Sequence, residues 1–328
     1  MRLSIIVTMA AAGLLAPAAL SPLTADAATA APAVMSATFL QPSSTTIGWQ
    51  ARQYQSEITL ERAAGITGVI DQWTVDEDAN QAYYPDAAGW YPRGGDMTDP
   101  LLTAAGQAGD TVWLGLANVS AWPPHAGDTA WLNNQLYVAE RTADQLYGLY
   151  KSAPAFKGWY VPFEVSDQQL GTAADVAPLT SFFAALTSYL HTHDGGRPVM
   201  TSPTYEHLTQ SPAQFAASVR SVLGSFDVIN VQDSGGSGYE QPSDITHWFT
   251  ALHQALAGTG SALWDDPDMF SAASHGGPMA PAQLQANLQA ARGLVSTFSG
   301  FSFTTQMDPN VVGTPSDYNA YLAYERKQ

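Results

Sequence analysis

The chain has 328 residues, and its 12 Lys and Arg against 29 Asp and Glu give a formal net charge of −17. A field of that sign repels phosphate backbones and anionic lipid, which excludes nucleic acid and the membrane surface as partners and leaves neutral glycans open. There is no cysteine, so stability must come from core burial and not from crosslinks.

The first element reads as a secretory leader. Arg2 precedes an apolar run over residues 3–20, and small residues follow, allowing cleavage after Ala27 or Ala30. The run is shorter than the ~20 apolar residues of a spanning helix. The expectation is a signal peptide over residues 1–30 and an exported, secreted or periplasmic protein over 31–328, without a membrane anchor once the leader is removed.

From residue 34 onward, short β-branched runs alternate with longer amphipathic stretches. Strands are predicted over 34–40, 68–75, 111–119, 158–165, 197–205, 226–233, 262–266 and 300–307. Helices are predicted between them, over 51–64, 99–108, 131–151, 175–191, 212–223, 243–257, 281–298 and 316–326. Ser211-Pro212, Ala280-Pro281 and Pro315-Ser316 with Asp317 in the first turn supply start signals. Strand–helix alternation means a parallel sheet. Eight units match an α/β chain closed as a (β/α)8 TIM barrel, whereas a doubly wound sheet has about five to seven strands.

In such a barrel the loops leaving the C-terminal strand ends build the active face. The polar residues there are Gln41; Asp71, Gln72 and Trp73; Asn118; Glu164; Ser202 with Tyr205; Gln232 and Asp233; Asp265, Asp266 and Asp268; Gln306 and Asp308. Glu164 closes the apolar run Gly-Trp-Tyr-Val-Pro-Phe at 158–163, where an unpaired carboxylate is costly. It reads either as a structural residue, in a salt bridge or a loop hydrogen bond, or as a general acid/base with a pKa raised by its aromatic neighbours. The strand-seven aspartates read as the second carboxyl group of a glycosidic cleavage site, as a loop cap, or as ligands for calcium.

Other signals are weaker. Ser-Gly-Gly-Ser-Gly at 234–238 lacks the Lys of a phosphate loop and reads as a flexible connection. His191 and His193 close a helix without the spacing of a zinc site. No Gly-x-Ser-x-Gly elbow is present, Asn118-Val119-Ser120 is a glycosylation sequon, and no cofactor motif is found.

Together, Thr38-Phe39-Leu40-Gln41, the 158–164 segment ending in Glu164, Thr201-Ser202-Pro203, Asp-Val-Ile-Asn-Val-Gln-Asp at 227–233 and Leu263-Trp264 through Phe270 resemble a family of secreted bacterial proteins. That family carries domain of unknown function 4434 and falls in the glycoside-hydrolase barrel superfamily. The resemblance spans nearly the whole mature chain. It implies a strand-four acid/base, mapped on Glu164, and a strand-seven nucleophile or base, mapped on Asp268, with Asp233, Asp265 and Asp266 as alternative acids. Phe163 stands where those glycosidases usually carry Asn, and Asp268 is one methylene shorter than their Glu. The shorter side chain widens the gap toward the ~6.5–9.5 Å of inverting enzymes from the ~5–5.5 Å of retaining ones.

The expected function is a secreted glycoside hydrolase with a carbohydrate substrate lined by Gln41, Gln72, Trp73, Asn118, Tyr205, Gln232 and Trp264. A non-catalytic carbohydrate-binding barrel is the alternative, as is a hydrolase with a hard cation on Asp265, Asp266 and Asp268.

Overall fold

The computed structural model describes residues 32–85, 89–206, 209–313 and 315–328. The predicted leader lies outside the described residues. Eight parallel strands close on themselves: β1 (Ala37–Leu40), β2 (Gly68–Asp71), β3 (Thr111–Gly115), β4 (Phe156–Val161), β5 (Val199–Thr201), β6 (Val228–Gln232), β7 (Ala262–Asp266) and β8 (Thr297–Gly300). Closure is made where β1 pairs with β2 on one side and with β8 on the other.

The main outer helices are α1 (Ala51–Ala63), α2 (Thr98–Ala108), α3 (Thr129–Tyr150), α4 (Ala173–His193), α5 (Pro212–Leu223), α6 (Pro242–Leu256), α7 (Pro281–Ala290) and α8 (Ser316–Glu325). The fold is the (β/α)8 barrel expected. Among the described residues no helix is long and apolar enough to cross a membrane.

Alternation along each strand divides the core in two. Phe39, Ile70, Trp113, Tyr160, Met200 and Val228 fill the barrel axis, with Trp113 edge-on to Trp264 at 5.8 Å and Phe39 edge-on to Tyr160 at 5.3 Å. Their strand neighbours, such as Val69, Trp159, Val161, Val199 and Ile229, pack outward under the helices. Gly158 makes room for this interior, since a Cβ there would lie 2.7 Å from the Trp113 ring and 2.4 Å from the Pro198 carbonyl oxygen. At the opposite end of the chain, α8 clasps the segment leading into β1: the Met35 N–H donates to the Tyr321 hydroxyl at 2.7 Å, and the Tyr324 hydroxyl donates to the Ala33 carbonyl at 2.7 Å.

The eighth strand departs from the expected span. It runs over Thr297–Gly300, and the predicted 300–307 segment instead turns into a short helix at Phe303–Gln306. The apolar pattern of 281–298 resembles one long helix, but α7 ends at Ala290 and Gly293, at φ +77°, carries the chain away from it. Strands two and three are also shorter than predicted. Val75–Asp76 and Ala117–Asn118 leave the barrel and form a small three-stranded sheet with Gln81–Ala82.

Candidate active site

The parity that fills the barrel also aims its last polar residues. On β7, Ala262 and Trp264 pack with the interior while Leu263 packs outward, so Asp266 faces the axis and Asp265 the helices. On β2 the same rule sends Asp71 outward and Gln72 inward, and on β6 it sends Gln232 inward. Ser202, just beyond β5, also comes inward.

A cavity of about 440 Å³ opens at the C-terminal strand ends. Glu164 sits at its base, half-buried, three residues past β4. Its Oε1 accepts the Tyr160 hydroxyl at 2.6 Å and the Gln72 amide at 3.2 Å, and its Oε2 accepts the Gln232 amide at 3.0 Å. The same Gln232 amide donates to the Ser202 carbonyl at 3.2 Å, and the Ser202 hydroxyl lies 2.6 Å from the Asn230 carbonyl and 3.2 Å from Asp266 Oδ2. Glu164 and Asp266 thus belong to one network. Gly115 permits the close approach of this corner, because a Cβ there would lie 2.3 Å from the Gln72 carbonyl oxygen.

Burial raises the Glu164 pKa, and the donors from Tyr160, Gln72 and Gln232 hold that rise in check. Asp266 is pushed much further up, by burial first and then by the charges of Asp268 and Glu164, and its Oδ1 has no hydrogen-bond partner among the described residues. The two acids are therefore driven apart in proton affinity by their surroundings.

Of the predicted sugar contacts, Gln72, Trp73, Asn118 and Gln232 line the cavity with Glu164. Tyr205, Trp264 and Gln41 do not. Tyr205 is fully buried, stacked on Trp248 at 4.2 Å, with its hydroxyl donating to the Asp233 carbonyl. Trp264 packs in the barrel interior, and the Gln41 carbonyl accepts the Thr46 hydroxyl at 2.7 Å in the β1–α1 connection.

Asp266 is absent from the cavity lining, and so is Asp268. Pro267 breaks the strand alternation before it, and its Oδ2 instead accepts the Gly236 and Ser237 N–H groups, each at 3.0 Å, and the Ser237 hydroxyl at 3.3 Å. Asp233 Oδ1 takes the N–H groups of Gly235 at 2.9 Å and Asp268 at 3.2 Å. These two aspartates anchor the glycine-rich segment read from sequence as a flexible connection. Gly236 is needed there, since a Cβ would fall 2.2 Å from the Phe270 carbonyl oxygen. Burial lifts Asp268 to about 6.

Asp265 is fully buried on the outer face of β7, with neither carboxyl oxygen hydrogen-bonded among the described residues; burial and the charges of Asp233, Asp266 and Asp268 raise its pKa strongly. With Asp265 and Asp266 on opposite faces and Asp268 tied to the loop, the three do not converge. Among the described residues no group of three His, Cys, Asp or Glu could hold a metal ion.

Asp71 is buried on the outer face of β2, where its Oδ2 accepts the Thr98 hydroxyl at 3.2 Å. The shift of strand eight takes Gln306 and Asp308 away as well. Gln306 reaches the Gly276 carbonyl at 3.2 Å, and Asp308 caps the turn Pro309–Val312 through the Asn310 N–H at 2.7 Å.

The sequence reading missed Tyr160 and, in the lining, Glu206 together with Trp122, Gln168 and Gln169. Tyr160 lies mid-strand, where periodicity alone does not tell axis from exterior. Glu206 lines the cavity; it follows Tyr205 directly, and extending the strand-five end by one position would have found it.

The model of the family described as "Domain of unknown function (DUF4434)" matches residues 35–313. Among curated proteins none matches. A solved structure described as a "putative alpha-L-fucosidase" from Bacteroides thetaiotaomicron VPI-5482 superposes with a TM-score of 0.74 at 20% identity, covering 90% of this chain and 96% of that one. An endo-1,4-beta-mannanase from Rhizomucor miehei gives 0.60 at 10% identity, covering 90% and 95%. A beta-galactosidase from the psychrophilic Marinomonas ef1 gives 0.58 at 11% identity, covering 89% of this chain and 59% of that one. At these identities the likeness is one of fold alone.

Proposed function

The chain belongs to the family of the domain of unknown function DUF4434, and from that premise we propose that it is an exported glycoside hydrolase that cleaves an O-glycosyl bond in the cavity over Glu164. One observation carries the reading: a carboxyl group held at the base of a cavity by three donors, with its pKa raised by burial. A general acid works best when its pKa lies near the working pH, and desolvation opposed by hydrogen bonds is a way to reach that range.

In this reading Glu164 protonates the leaving oxygen. On strand seven, Asp266 shares the Ser202–Gln232 network but stands outside the cavity lining with its pKa raised well above the usual range, and Asp268 has an oxygen occupied by backbone donors, so neither is assigned the role of nucleophile or base. Trp73 offers an apolar ring face for a sugar, and Asn118 and Gln232 offer amides for its hydroxyl groups. The fold is shared with hydrolases of different specificity, so the substrate argument rests on the cavity alone.

Glu164→Gln tests it. The variant is expected to keep the wild-type melting temperature within a few degrees and to lose activity on the responsive glycan by about 10³-fold, near the upper range for general acid catalysis. The measurement is product release from a polysaccharide panel, read by mass for both proteins side by side. Full activity in the variant would sink the assignment. Glycan binding by both proteins with turnover by neither would favour the non-catalytic binding barrel.

A further inference from the structure

We infer that the cavity beside Glu164 receives a glycan bearing a protonated amine, and that Glu206 is the group that reads this charge. The inference rests on the carbohydrate reading above and narrows its substrate class.

The described residues lining the cavity include two carboxylates, Glu164 and Glu206, five side-chain amides, and no Lys, Arg or His. The two carboxylates differ in how they are matched. Glu164 is met by donors from Tyr160, Gln72 and Gln232. The Glu206 carboxylate has neither a hydrogen bond nor an ion pair with any described residue. Burial disfavours its charge, and the nearby Asp167 adds repulsion. A cationic ligand group would relieve both.

The position is built. The Glu206 N–H donates to Asp167 Oδ1 at 3.0 Å, and Asp167 Oδ2 accepts the Thr209 N–H at 2.8 Å and the Gln210 N–H at 3.4 Å. Asp167 itself is fully buried at the start of the short helix Asp167–Gly171. The backbone under Glu206 is therefore fixed to the wall that also carries Glu164, so the carboxylate is presented to the cavity and not to bulk solvent alone.

The chemistry of the lining then sorts glycans by charge. A uronate or sulfated sugar would bring an anion into a partly desolvated space that already holds two carboxyl groups, inside a chain of net charge −17. A neutral sugar is served by the amides and Trp73. An ammonium group gains a charge-assisted hydrogen bond to Glu206, roughly twice as strong as a neutral one.

The test uses the full-length mature protein with Glu164→Gln, so that ligands bind without turnover. Titration calorimetry would compare a fully deacetylated β-1,4-glucosamine trimer, its fully N-acetylated counterpart and a galacturonate trimer. The amine-bearing trimer is expected to bind about tenfold more tightly than the acetylated one, the size of one charge-assisted contact over a neutral one. Galacturonate is expected not to bind, and 0.5 M salt should reduce the preference. Adding Glu206→Gln should cut the ratio between the first two ligands by about tenfold; if that variant binds both more weakly by the same factor, Glu206 is a general contact and the charge role falls. Equal affinity for amine and acetamide, or a preference that survives Glu206→Gln, overturns this inference and leaves the hydrolase reading standing. Binding of none of the three, nor of any neutral glycan in the activity panel, takes down both.

Discussion

At the residue scale, the Glu164 environment makes a statement about pH that can be measured. Burial is the largest influence on its pKa and raises it, while the Tyr160 hydroxyl, 2.6 Å away, is among the donors that lower it. Tyr160→Phe removes that donor and leaves the ring packed against Phe39. The sign follows: losing a group that stabilises the carboxylate raises the pKa further. A general acid is active while protonated, so the alkaline limb of kcat/KM should move to higher pH, by about one pH step, with the rate falling about tenfold. A limb that moves down, or stays fixed, would show that Glu164 does not supply the proton. Glu164 was legible in the sequence because a carboxylate closing an apolar strand is costly unless used. Tyr160 was not, because only closure of the barrel decides which strand parity faces the axis. The same cause separates Asp266 from Asp268. They are two positions apart, and regular alternation would put both inside, but Pro267 intervenes and Asp268 turns to the backbone of Gly236 and Ser237.

At the element scale, the connection after β6 is where sequence and structure differ in meaning. Glycine and serine read as flexibility, yet Gly235, Gly236 and Ser237 each donate a backbone N–H to Asp233 or Asp268. Asp268→Ala removes the acceptor of two backbone N–H groups and one hydroxyl. It is expected to destabilise the protein by about 2–4 kcal/mol, the usual cost of orphaning buried donors, seen as a lower urea midpoint with an unchanged slope. Activity per folded molecule should fall far less than in Glu164→Gln. A stable but inactive Asp268→Ala would instead return the strand-seven role to Asp268. Elsewhere the elements were legible to within a few residues wherever a helix start such as Ser211-Pro212 followed a β-branched run. Strand eight was misplaced because the apolar pattern of α7 continues into Thr297–Gly300, and the break at Gly293 is a backbone conformation, which a hydrophobic period does not register. Contacts between neighbouring strand ends, the Glu206 N–H on Asp167 among them, join residues 39 apart in sequence and leave no local trace.

At the scale of the whole molecule, the acidic composition and the buried carboxyl groups act in the same direction on stability. Glu57, Asp71, Asp233, Asp265 and Asp266 are all raised well above ordinary values chiefly by burial, Asp268 is raised to about 6 and Glu61 to about 8. In the unfolded chain these groups lose their protons near pH ~4. Between that pH and their folded values the native state holds more protons than the unfolded one, so stability declines as pH rises. The contribution is complete below about pH 4 and is lost stepwise, first as Asp268 ionises near 6, then Glu61 near 8, and later for the groups raised further. Self-repulsion of a chain at −17 adds a second decline over the same range. Melting temperature is therefore expected to be higher at pH 5 than at pH 8, by on the order of 5 °C. Salt separates the two causes: 0.5 M sodium chloride screens the surface repulsion but not the burial of carboxyl groups, so part of the slope should survive it. A calorimetric series from pH 5 to 8 that is flat or rising would contradict the burial argument, and with it the claim that the acids behind β7 are held as neutral carboxyl groups in the working protein.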